Sequence, residues 1–116
     1  MTDSANHDDS RAKALYKQGF GLFVKGQLDE AIARYREAIE LSPRLSIAWN
    51  GLSLALAKQG KLDAAIDAAE KLIELEPDDA LSHTNLSRIL QQKGLIPEAE
   101  DAKARAMNLQ MQTRKS

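Results

Sequence analysis

Few side chains in this sequence could do chemistry, and their spacing does not bring them together. There is no cysteine, which excludes disulfides, zinc–thiolate sites and thiol nucleophiles. Of the two histidines, His7 precedes two aspartates in a polar stretch that would make a poor metal site, because it offers one imidazole. Phosphate-binding glycine motifs are absent, and Gly19-Phe20-Gly21 lies in a helical pattern, which favours close packing. The chain is therefore predicted to be no enzyme and to hold no metal or cofactor.

Charge and hydropathy exclude other classes of partner. The 17 acidic and 16 basic residues leave a formal net charge of −1, so no broad positive field would gather nucleic acid or anionic lipid. No apolar run approaches membrane-spanning length, and the N-terminus lacks the apolar stretch of a signal peptide. We expect a cytoplasmic protein that neither binds nucleic acid nor inserts into a membrane.

A period of 34 residues organises the chain. The segment 25–32 recurs as 59–66 and again as 93–100. Glycines and alanines mark the period, at Gly26, Gly60 and Gly94 and at Ala31, Ala65 and Ala99. Pro43 and Pro77 are also 34 residues apart. Such a period indicates an array of identical supersecondary units.

Each unit predicts two antiparallel helices. The glycine ends the first helix, because a residue without Cβ turns left-handed at little cost, and the proline follows the end of the second. Apolar residues recur at helical spacing between these signals. Predicted helices cover 12–25, 28–41, 46–59, 62–75, 80–93 and 96–110, so the fold class is all-α. The predicted N-caps are Asp9 or Ser10, Ser46, and Asp78 or Asp79.

The period also predicts the domain organisation. One domain covers 12–113, in units 12–45, 46–79 and 80–113, between a disordered tail at 1–11 and a frayed end at 114–116. In the third unit Glu100 replaces the isoleucines of the earlier units and Lys103 replaces Tyr35. Charged residues there suit the last helix of an array, because no following unit covers it. His83 takes the packing place of Trp49, so a structural histidine is expected.

The repeat resembles the tetratricopeptide-repeat (TPR) family, whose unit has large, small, aromatic and alanine residues and a proline at fixed places. The matching residues are Leu15, Gln18, Gly19, Leu22, Ala31, Tyr35, Ala38 and Pro43 in the first unit, Trp49, Leu52, Ser53, Leu56, Ala65, Ala69, Leu72 and Pro77 in the second, and His83, Leu86, Ser87, Leu90, Ala99, Lys103, Ala106 and Met111 in the third. The resemblance covers about 12–113. It implies a right-handed α-α superhelix of three helix-turn-helix repeats.

In that family the first helices of successive units line a concave groove that holds extended peptides or a partner's helix. Carried over residue by residue, the groove places are Lys13, Tyr16, Lys17, Phe20, Phe23, Val24, Ile47, Asn50, Gly51, Leu54, Ala57, Lys58, Leu81, Thr84, Asn85, Arg88, Gln91 and Gln92. The resemblance thus implies a groove that is apolar at one end and polar at the other.

We expect the peptide-binding residues of this groove to be Tyr16, Phe20, Phe23, Asn50, Leu54, Thr84, Asn85 and Arg88. Both phenylalanines lie on this face, which indicates that something covers it, although either ring could instead pack as core. Asparagine and arginine side chains can bind a peptide backbone or a terminal carboxylate, and the alternative for them is a solvated polar face.

One family subtype is not expected. Its carboxylate clamp, which grips the acidic C-termini of cytosolic chaperones, needs lysine, arginine and asparagine at places that here hold Tyr16, Phe20, Gly51, Leu81 and Asn85. Three functions stay open: an adaptor that docks a peptide or helix of a partner protein, a self-associating structural module that forms a homodimer, and a small chaperone for an apolar client segment.

Overall fold

The computed structural model describes the backbone of residues 2–115 and the side chains of residues 7–114. Within that range the chain forms only helices, which pack as three antiparallel pairs, and the second helix of each pair also contacts the first helix of the next. The predicted all-α array of helix pairs is confirmed. The helices are α1 Thr2–Val24, α2 Leu28–Leu41, α3 Ser46–Lys58, α4 Leu62–Leu75, α5 Ala80–Lys93 and α6 Ile96–Lys115.

The three marker glycines adopt the left-handed backbone predicted for them. Gly26 and Gly60 have φ of 80° and Gly94 has φ of 93°. In each turn the amide after the glycine closes the helix end, as where Lys61 N donates to Leu56 O at 3.0 Å. A Cβ built at these glycines would meet no atom within 4 Å, so backbone conformation and not space requires glycine.

The helix starts differ in part from the predicted caps. Asp79 caps α5, since its carboxylate accepts from Leu81 N and from the Ser82 hydroxyl. Ser46 is the first residue of α3 and no cap, because its hydroxyl donates to Glu76 across to the end of α4. Asp9 lies inside α1, where it accepts a hydrogen bond from Ser42 at 2.9 Å; Ser10 also lies inside the helix.

Helix α1 begins at Thr2, whereas the sequence predicted a disordered tail over 1–11. Neither glycine nor proline interrupts residues 2–11, and the bond from Ser42 to Asp9 ties this part of the helix to the end of α2. At the other end α6 continues to Lys115, where fraying was predicted. Met1 and Ser116 lie outside the described residues, and the unit boundaries stay a prediction.

The core is built mainly of alanine around one large ring. Tyr35 of α2 is 1% exposed and lies against two glycines of the neighbouring helices. A Cβ at Gly19 of α1 would stand 2.8 Å from Tyr35 Cε1, and one at Gly51 of α3 would stand 2.6 Å from Cζ. Close packing is thus confirmed at Gly19. It is not found at Gly21, where a Cβ would meet nothing within 4 Å.

In the third unit Glu100 and Lys103 of α6 are exposed. The same helix also exposes Met107 and Met111, each by about half. The outer face of α6 is therefore only partly polar, and the role of Glu100 and Lys103 as a cap of the array stays a prediction.

Gly60→Val should destabilise the protein by more than about 1 kcal/mol, because a β-branched residue is strained at a φ of 80°. A urea melt measures the change in the free energy of unfolding. Wild-type stability in the variant would contradict the left-handed turn.

Gly51→Ala should cost about 1–3 kcal/mol, because its new methyl group would overlap the Tyr35 ring. Alanine is the better helix former by up to about 1 kcal/mol, so the control is Gly21→Ala, which adds the same methyl group in open space. The control should be neutral or stabilising in the same melt. Equal effects of the two substitutions would show that the ring does not limit the approach of α3.

Candidate functional site

The structure brings seven of the eight predicted site residues together on one face of α1, α3 and α5. A small cavity of about 80 Å³ is lined by the aromatic members and Asn50, and a wider one of about 340 Å³ is lined by Asn85 and Arg88; Leu54 lines both. Asn50 and Asn85 also border a third depression toward the start of α5. The first set is Tyr16, Phe20, Phe23, Tyr35, Asn50, Gly51 and Leu54, and the second is Leu54, Ala57, Lys58, Asn85, Arg88, Ile89 and Gln92.

Aromatic rings form a connected string at the α1 end of this face. The Tyr16 ring stacks on Phe20 with centroids 6.4 Å apart, and it lies 5.7 Å from Tyr35 at an angle of 34°. Phe20 is 52% exposed and Leu54 37%. Phe23 is half-buried against the core, with Lys58 Nζ 5.2 Å from its ring centre. Phe20 is thus a surface side chain, while Phe23 serves both core and surface.

Tyr35 also lines this site, although only a packing role was predicted for it. Its ring reaches the groove floor because Gly51 places no side chain in front of it. The sequence feature that could have predicted this contact is Gly51, a glycine among the groove places, which leaves room for a large residue of the preceding helix. Burial, and then the neighbouring Tyr16, raise the pKa of Tyr35 to about 12, so the phenol stays neutral at physiological pH.

At the other end of the groove, two asparagines join adjacent units. Asn85 Nδ2 donates to Asn50 Oδ1 at 2.7 Å, and Gln92 Nε2 donates to the Ala57 carbonyl at 3.1 Å. The asparagine pair leaves the amide group of Asn50 and the amide oxygen of Asn85 without a partner among the described residues. Thr84 stands apart, since its hydroxyl donates to Ala80 O in its own helix and it borders none of these cavities.

The charged groove places all have one sign. None of the eighteen groove places holds an acidic residue, whereas four of them hold a basic one. These four side chains are exposed: Lys13, Lys17, Lys58 and Arg88. No carboxylate within the described part of the chain forms an ion pair with Arg88. Positive charge therefore dominates along the groove places, and the carboxylates near the groove, Glu76 and Asp79, border the depression at the start of α5.

The described residues offer neither a metal site nor a membrane-spanning helix. No three histidine or acidic side chains are grouped there so that they could hold a metal ion. The histidine at position 83 is 3% exposed, and its Nε2 lies 2.8 Å from the Pro77 carbonyl, which confirms its predicted structural role. No described helix is both long and apolar enough to cross a membrane.

Known proteins share this architecture. A tetratricopeptide-repeat family model matches residues 10–80 and 54–107. A crystal structure of MamA is 28% identical over 90% of this chain and 61% of its own, with a TM-score of 0.87. The chain therefore spans less than two thirds of that relative. Comparison with curated protein sequences found no match.

Two less similar structures share the fold. The first TPR of Spaghetti (RPAP3), bound to the HSP90 peptide SRMEEVD, is 19% identical over 87% of this chain and 80% of its own, with a TM-score of 0.84. The type III secretion translocator chaperone SycD of Yersinia enterocolitica is 23% identical over 86% and 76%, with a TM-score of 0.82. Since the family model covers most of the chain and the glycine turns recur at its period, this protein belongs to the tetratricopeptide-repeat family.

Proposed function

We propose that this protein is an interaction module that holds a segment of a partner protein in the groove of α1, α3 and α5. The observation that carries the proposal is the exposed aromatic string, which continues into unpartnered amide groups on the same face. A helix that needs only to be hydrated would place charged residues where Phe20 stands.

The apolar end would supply most of the binding energy. An aromatic anchor removes a large apolar area from water while few torsions are frozen. A side chain of the partner that enters between Phe20 and Leu54 would meet the ring of Tyr16 and, below it, that of Tyr35. The Tyr35 ring is already fixed between two glycines, so its contact would cost little ordering.

The polar end would set the direction of the bound segment. A peptide backbone needs one donor and one acceptor at each residue, and Asn50 and Asn85 offer a free amide group and a free amide oxygen side by side. Arg88 and Lys58 lie next to them and would attract an acidic side chain or a terminal carboxylate. The proposed ligand is thus an apolar segment that carries negative charge at one end.

Two structural relatives support a binding role in general. One TPR of this fold has been seen with a bound peptide, and another is a secretion chaperone. For this chain the alternatives are self-association and a chaperone role for an apolar client. Light scattering over a concentration series separates self-association, since only that function requires the mass to rise with concentration.

The double substitution Phe20→Ala and Phe23→Ala should abolish capture of the native partner from a host extract. Each lost anchor should cost roughly 2 kcal/mol, or about thirtyfold in affinity. Because Phe23 also packs against the core, Phe20→Ala alone is the cleaner variant. The control is Met111→Ala, which removes an equally exposed apolar side chain away from the groove. Circular dichroism checks the fold. Undiminished binding by a folded double variant would remove the site from the groove.

Arg88→Ala should lower the affinity for the captured partner and make that affinity less dependent on salt, because one screened charge pair is lost. The matched control is Arg44→Ala, an exposed arginine in the turn between α2 and α3, outside the groove. Titrations of the partner at low and high salt measure the affinity of each arginine variant. If the two arginine variants have the same salt dependence, the groove does not bind a negative charge at Arg88.

A further inference from the structure

A further cavity lies outside the groove. It has a volume of about 650 Å³ and opens between α4 and α6, over the face of α5 that points away from the groove. We call it the α4/α6 cleft. Its apolar part is formed by Ile73, Leu86, Leu90 and Ala102, and the remaining lining residues are Asp67, Glu70, Lys71, Glu74, His83, Glu98, Asp101 and Arg105.

A substitution between repeat units contributes to the space. His83 stands 34 residues after Trp49, and both rings make the same hydrogen bond to a proline carbonyl. Trp49 Nε1 donates to Pro43 O, and His83 Nε2 lies against Pro77 O, each at 2.8 Å. The indole packs against the core. Since an imidazole is smaller, His83 leaves more room beside it than Trp49 does, and the opening between α4 and α6 supplies most of the volume.

His83 belongs to the wall of the cleft. Its side chain is 3% exposed, and its Nε2 lies 2.8 Å from the Pro77 carbonyl. The hydrogen bond holds the ring in place, so a ligand that packs against it would cost this part of the wall little ordering.

The rim has strong negative charge. Five carboxylates surround the opening, against two basic side chains. One of the two, Lys71, already forms an ion pair with Glu74 at 3.4 Å. The exposed acidic residues come from both walls, with Glu70 on α4 and Asp101 on α6. A ligand with an apolar centre and positive flanks would match both the lining and the rim.

We propose that the α4/α6 cleft is a second binding site, for a segment of a partner protein in which one large apolar or aromatic side chain stands between lysine or arginine residues. The apolar side chain packs against Leu86 and Leu90, beside the His83 ring. The rim carboxylates hold the flanking cations. The groove and the cleft thus recognise segments of opposite charge on opposite faces of α5.

The test uses the full chain labelled with ¹⁵N and the tripeptide lysine–tryptophan–lysine, blocked at both ends. Titration should shift the amide signals of Leu86 and Ala102 with a dissociation constant of about millimolar, as expected for so small a ligand. The blocked peptide glutamate–tryptophan–glutamate, matched in its apolar centre, should bind at least about tenfold more weakly. His83→Trp puts the larger ring of the preceding unit into the cleft wall, where it takes up part of the apolar space, and should weaken the binding of the lysine peptide at least about threefold.

Equal binding of the two peptides, or unchanged binding by folded His83→Trp, would overturn the proposal. Should that variant not fold, the double substitution Glu70→Gln and Asp101→Asn changes only exposed side chains. The double variant should bind the lysine peptide at least about threefold more weakly at low salt, and it should bind the glutamate peptide equally well or better. If only the amide signals of Phe20 and Leu54 shift, the peptide binds in the groove, and the proposed site in the α4/α6 cleft is wrong.

Discussion

The contact of the Tyr35 ring with Gly19 and Gly51 is the constraint on which the shape of the binding face depends. The ring occupies the space in which either glycine would carry a Cβ, so α1 and α3 can both approach α2 closely. One unit later the size relation is reversed: Ala69 stands for Tyr35, and Asn85 stands for Gly51. The large ring of Tyr35 on α2 thus faces glycine on α3. The small Ala69 on α4 is followed by an amide side chain on α5. This exchange places the Tyr35 ring beneath the apolar end of the groove and Asn85 beside Asn50 at its polar end.

The period and the turns could be predicted from sequence because they depend on local properties. A positive φ is a property of one residue, and the glycines at 34-residue spacing mark it directly. The placement of most site residues on one face followed from helical spacing, which is also local. Their mutual bonds could not be predicted, because the Asn50–Asn85 pair depends on the distance between two helices. The same holds for Tyr35, whose reach to the groove depends on how closely α3 approaches. Ser46 shows the limit at a helix start, since its hydroxyl has a long-range acceptor in Glu76.

The net charge of −1 conceals a separation of charge between two faces. The groove places carry basic side chains and no acidic one, whereas the opening between α4 and α6 is bordered mainly by carboxylates. Helix α5 lies between the two faces and contributes to both, with Arg88 toward the groove and His83 toward the cleft. Charges separated by more than a Debye length of about 8 Å are largely screened at physiological salt. Each face would therefore act on a ligand by its local charge and not by that of the whole molecule.

This separation also bears on self-association. A contact between two copies through the same face would bring like charges together, because both the groove and the cleft have one dominant sign. A two-fold symmetric dimer through either face is therefore disfavoured by electrostatics. A contact between the groove of one copy and the cleft of another would have complementary charge, but it is heterologous and would continue into a chain of copies unless it closed in a ring. Of the functions open at the start, a homodimer through the groove is thus the least compatible with these charges, and an acidic apolar segment from another protein fits the groove better.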